Sequence, residues 1–105
     1  MENWRDYLVD KLKKDERDVS AYLNASMEAF EEDGNLHAFL LAVRTIVEVK
    51  GGFSKLSKQT GLNREHLYRL LSDKGNPTLY SLLKILNALG YPISFNPSKE
   101  LKKAA

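Results

Sequence analysis

The stretch from Phe53 to Leu71 constrains this chain more than any other. Two short segments that read as helices, about 54–60 and 63–72, stand on either side of a single glycine, Gly61. Gly61 falls where the first helix must stop and the backbone must turn, a place that favours positive φ and costs glycine little. Leu56 before the turn, Leu62 after it, and Leu67 and Leu70 beyond supply the small core that fixes the crossing angle. Ser57 is small where the two helices approach, and Asn63 is placed to cap the second. This is the anatomy of a helix-turn-helix, whose second helix enters the major groove of DNA.

The second helix, starting at about Asn63, then has two unlike faces. With about 100° per residue, Leu70 and Leu71 fall within roughly 60° of Leu67, while Glu65, Tyr68, Arg69 and Ser72 point away. Arg64 lies on the flank near the N-terminus, where recognition helices first meet base edges. Arginine pairs bidentately with guanine and asparagine with adenine, so Arg64 and Arg69 are the first candidates for base contact and Asn63 and Tyr68 the second. Glu65 can accept from a cytosine amino group, or orient Arg69 four residues later, and the second role is favoured. Phosphate contacts are expected from Ser54, Lys55 and Lys58 on the first helix, from Lys74 and Asn76 in the following loop, and from Thr78 at the next helix N-terminus. Each lysine taken singly reads equally well as a solvated charge. Their clustering tilts the balance: residues 53 to 74 hold five basic and two acidic side chains, 5 − 2 = +3.

Helical punctuation extends over the rest of the chain. Trp4, Leu8 and Leu12 recur at i, i+4 and i+8 on a short first helix. Asp15 can cap a second helix with Val19, Tyr22, Leu23, Ser26, Met27 and Phe30 on one face, ending before Gly34. Asn35 can cap a third, carrying Leu36, Phe39, Leu40, Val43, Ile46 and Val47 and stopped by Gly51 and Gly52; it is the candidate central helix. Lys74, Gly75, Asn76 and Pro77 make a loop, after which Thr78 can cap a last helix whose Leu82, Leu83, Leu86 and Leu89 face inward and which Gly90 ends. Tyr91, Ile93 and Phe95 alternate as a short edge strand, to pair with a second copy or pack on the domain's own helices. The expected organisation is an acidic helical extension over 1–33, a helix-turn-helix DNA-binding domain over 34–98, and a frayed tail over 99–105.

Totals narrow the function. A chain of 105 residues, 43% apolar and 29% charged, fits one globular domain, and no apolar run approaches the roughly 20 residues of a membrane span. Without a visible secretory signal the expected compartment is the cytoplasm, and the absence of cysteine removes disulfides, thiolate ligands and a cysteine nucleophile. The net charge of +2 hides an asymmetry: residues 1 to 33 carry 5 − 10 = −5 and residues 34 to 105 carry 11 − 4 = +7. The basic part is free to meet a polyanion. His37 and His66 are far apart and no metal-binding or catalytic spacing stands out, so neither an enzyme, a metal, a cofactor nor a small-molecule substrate is expected. Tyr22, Phe30 and Phe39 read as core rather than as a base-stacking platform.

From about Ala42 to Phe95, and above all in Gly61 to Glu65, Leu67 to Arg69 and Gly75 to Leu79, the chain resembles the addiction-module antidote proteins, HigA-like antitoxins with a lambda repressor-like or Cro-type helix-turn-helix. Glu16 to Phe30, with Ala21 to Ala25, is similar to the family's N-terminal helix, and Ser57 stands where many relatives have alanine. The resemblance implies an all-α, lambda repressor-like bundle with an N-terminal helical extension and a short C-terminal strand. It also implies a homodimer on operator DNA in its own promoter and a partner similar to the RelE or HigB toxins, typically basic, for which the acidic extension is a sensible contact. Three readings stay open: a DNA-binding antitoxin and autorepressor, a phage-type transcriptional regulator without a toxin, and a helical protein-interaction adaptor.

Overall fold

The computed structural model describes residues 3–98, which form α1 (Trp4–Leu12), α2 (Glu16–Asp33), α3 (Leu36–Val49), α4 (Phe53–Thr60), α5 (Arg64–Leu70) and α6 (Leu79–Leu89). The tail expected to fray, 99–105, lies outside the described residues. Each helix start expected to be capped by a side chain is so capped: Asp15 accepts from the Arg17 amide, Asn35 from Ala38, Asn63 from Glu65 and His66, and Thr78 from Ser81. These bonds satisfy amides that would otherwise have no partner in the first turn.

The third helix is the centre of the molecule. Leu40, Val43, Ile46 and Val47 of α3 are completely buried and meet Val19 and Leu23 from α2, Leu12 from α1, Leu56 from α4, Leu67 from α5 and Ile85 from α6 in one cluster. Phe30 of α2 stacks on Phe39 of α3 with ring centroids 5.9 Å apart. The acidic N-terminal helices therefore share their core with the basic ones. No helix among the described residues is long and apolar enough to cross a membrane.

Four expectations change. No strand forms among the described residues: beyond Gly90 the chain runs without regular structure to Ser98. A strand needs a neighbour to complete its hydrogen bonds, no second extended segment is at hand among the described residues, and Pro92 and Pro97 have no amide to donate. Tyr91 instead returns its amide to the Leu86 carbonyl at 2.9 Å and its hydroxyl to Glu16, Ile93 packs against the core, and Phe95 is almost wholly exposed. On α1, Val9 and Leu12 are the buried residues and Trp4 is 73% exposed. At about 100° per residue the buried pair Val9 and Leu12 centres roughly 110° around the helix from Trp4, which leaves Trp4 off the buried face. On α6 the fully buried residue is Ile85, with Leu82 and Leu83 only half-buried, and on the α5 side Leu71 is buried more deeply than Leu70.

Candidate nucleic-acid interface

Helices α4 and α5 meet at a tight turn, an arrangement compatible with the expected helix-turn-helix. Gly61 sits at φ 75° as the residue after α4, and its amide closes the helix onto the Ser57 carbonyl at 2.9 Å. Two hydroxyls stitch the turn further. Ser57 Oγ donates to the Leu62 carbonyl at 2.6 Å, while the buried Thr60 Oγ1 donates to the Leu56 carbonyl and accepts from the Leu62 amide. Serine at 57 thus adds a bond that alanine cannot make. Beyond the turn, Leu62 packs against the core and Asn63 caps α5.

Arg64, Glu65, Tyr68 and Arg69 are all exposed on α5, and Leu67 is completely buried on its opposite face. Glu65 and Arg69 are not paired: the ion pairs among the described residues are Arg5 with Glu48, Arg17 with Asp15, and Lys50 with Glu16. The role favoured for Glu65, orienting Arg69, is therefore not what the free protein shows. Both arginines of α5 keep their full donor sets for an outside partner. Asn63 is more restricted, because its side-chain oxygen is spent on the Glu65 amide at 2.8 Å and on His66 at 3.3 Å. Only its NH₂ group remains, so the bidentate donor-and-acceptor pairing with adenine would require the cap to open.

Tyr68 is held rather than free. Its ring packs on Phe53 of α4 with centroids 4.7 Å apart and an interplanar angle of 40°, which sets the first turn of α4 beside the middle of α5. Ser54 and Lys55 are exposed on that first turn and Lys58 one turn later. Past α5, the exposed Lys74, Asn76 and Thr78 follow one another around the loop. The Thr78 hydroxyl is engaged with the Ser81 amide and hydroxyl, both at 3.1 Å, so a phosphate at this helix end would meet backbone amides and not that side chain. Arg44 of α3, whose guanidinium lies over the Tyr68 ring, was not singled out by the sequence. It belongs to another helix, and its place beside α5 depends on how α3 packs. Among the described residues no group of His, Asp and Glu side chains is arranged to hold a metal ion.

Residues 5–97 match the family described as probable addiction module antidote protein. The chain belongs to the addiction-module antidote family. The role of the antidote component in a toxin–antitoxin module follows from that membership. This antidote is also 31% identical over 98 residues to an uncharacterized protein of Haemophilus influenzae, an alignment covering 93% of this chain and 96% of its relative. No solved structure gives a significant match. The family match runs through α1 and α2 as well as through α4 and α5, in keeping with the single core they share.

Proposed function

We propose that this antidote is a sequence-specific DNA-binding regulator that represses its own operon and neutralises a basic toxin of the RelE or HigB kind. The observation that carries the DNA half is the outer face of α5: Arg64 and Arg69 are exposed with no carboxylate partner among the described residues, next to the lysine-bearing first helix of the motif. In this reading Arg64 and Arg69 contact bases, with Asn63, Glu65 and Tyr68 beside them, and Ser54, Lys55, Lys58, Lys74, Asn76 and the Thr78 helix end meet phosphates. A two-fold homodimer sets two such helices about 34 Å apart in successive major grooves and reads a roughly palindromic operator. Outside the motif, Glu28, Glu31, Glu32 and Asp33 are exposed along the last turns of α2 and form the natural landing place for a basic toxin.

The test is an anisotropy titration of the DNA just upstream of the gene against scrambled DNA of equal length, at two salt concentrations. Tighter binding to the upstream DNA that weakens steeply with salt is the expected result. Equal, weak binding to both duplexes would refute autoregulation and leave a protein-binding antidote.

A further inference from the structure

We propose that Arg44, which lies outside the helix-turn-helix, is a phosphate contact of the DNA complex, held ready by Tyr68. The inference rests on the DNA-binding reading above and adds to it a residue from a third helix.

Arg44 stands on α3 between the buried Val43 and Thr45 and reaches the middle of α5. Its guanidinium carbon is 4.3 Å from the centre of the Tyr68 ring, and its Nη2 donates to the Tyr68 hydroxyl. Phe53 packs on the same tyrosine and fixes it in place. The rest of the guanidinium is poorly served. Nε is buried and has no acceptor, and no carboxylate among the described residues comes within ion-pair reach, although Asp73 lines the same groove.

A guanidinium is charged at every physiological pH and carries five N–H donors. One of them here reaches a phenol and another is idle. A half-buried cation loses hydration, and a ring face with one neutral hydroxyl returns only part of it. The arrangement lacks an anion, and duplex DNA brings one to this position. In a docked helix-turn-helix the first helix crosses the phosphate backbone while the second lies in the groove. Arg44 sits where those two helices touch, at the Phe53 and Tyr68 contact. The planar fork of arginine suits a phosphate, and the tyrosine below it removes freedom that would otherwise be lost on binding. Tyr68 then acts mainly through Arg44, as a brace and not as a reader of bases.

The experiment is a salt series of anisotropy titrations with the full chain, on the upstream duplex and on scrambled DNA. Arg44→Gln is expected to weaken both duplexes alike, about tenfold, and to lower the slope of log affinity against log salt by about 1. Tyr68→Phe, which keeps the ring and loses the hydroxyl, should weaken both about threefold. It carries the test if melting curves show that Arg44→Gln does not fold. Unchanged affinity and slope in these variants, with a wild type that binds DNA, would overturn the proposal. So would a loss confined to the upstream duplex at constant slope, which would make Arg44 a support for base reading. A wild type that binds neither duplex would instead overturn the DNA-binding reading itself.

Discussion

Helices α2 and α5 each bury one face and expose the other, yet their charged groups are deployed in opposite ways. At the start of α2 the charges are tied into the fold: Asp15 holds Arg17, and Glu16 meets both Lys50 and the Tyr91 hydroxyl, joining α2 to the end of α3 and to the segment after α6. On α5, Arg64, Glu65 and Arg69 take part in no ion pair among the described residues. Exposed pairs contribute little to stability, at most about 1 kcal/mol, so the difference matters less for folding than for what remains available to a partner. The lesson is that charge becomes a binding surface only where the fold has not already used it. By that standard Glu28, Glu31 and Glu32 of α2 and Arg64, Glu65 and Arg69 of α5 are surfaces, while the N-terminal turn of α2 is not, nor is Asp33, whose carboxylate accepts from the Asn35 amide.

The sharpest way to probe the contrast is through two glycines. Gly75, just past α5, has no room for a side chain: a Cβ there would lie 2.0 Å from the Leu70 carbonyl oxygen and 2.9 Å from that of Arg69, both backbone atoms. Gly34, which ends α2 at φ 70°, meets nothing within 4 Å. Gly75→Ala should therefore cost about 3 kcal/mol in denaturant unfolding, and Gly34→Ala about 1 kcal/mol, the usual penalty for a side chain in the left-handed region. Equal losses would mean that the loop after α5 yields easily and that the position of α5 is not fixed by it.

Next in size are losses of binding, which should separate cleanly between the two surfaces. Arg69→Ala should cost about 2 kcal/mol on the upstream DNA and much less on scrambled DNA, with toxin capture unaffected. Glu28→Lys combined with Glu31→Lys should do the reverse, abolishing capture of the proposed basic toxin while leaving DNA preference in place. Charge reversal at exposed sites is the right tool, because removing α2 would strip Val19 and Leu23 from the core. If the α2 reversals alter operator preference as strongly as Arg69→Ala does, the division of surfaces is wrong. Lys58→Ala belongs lower on the scale, weakening all DNA alike and lowering the salt slope by about 1.

The helices and their starts were legible because they are local. Asp15, Asn35, Asn63 and Thr78 cap amides two or three residues away, and Gly61 and Gly90 end helices within one turn, so spacing alone reveals them. What the sequence hid was lateral. Tyr68 and Phe53 are fifteen positions apart and Arg44 and Tyr68 twenty-four, and no periodicity links them. Gly75 looked like an ordinary loop residue because close approach of the Leu70 carbonyl leaves no mark on composition. The alternation of Tyr91, Ile93 and Phe95 misled for a related reason: period two marks a strand only when another strand is there to pair with it.

The smallest effect concerns the engaged end of α2 and sharpens the contrast from the structural side. The Arg17 side chain beside Asp15, and the Arg17 amide that its carboxylate caps, hold the Asp15 carboxyl below its ordinary range. A carboxylate whose pKa is lowered by folding stabilises the fold fully above its unfolded value and loses that contribution as pH falls through the folded one. The thermal midpoint of the wild type should accordingly exceed that of Asp15→Asn at neutral pH by a small margin. That margin should shrink below about pH 4 and close as the carboxyl becomes protonated. Added salt should narrow it as well, since the group is open to solvent. A margin that stays constant from neutral pH to below the carboxylate range would show that the cap works through hydrogen-bond geometry alone, and that the Asp15 charge is as unused by the fold as those of Arg64 and Arg69.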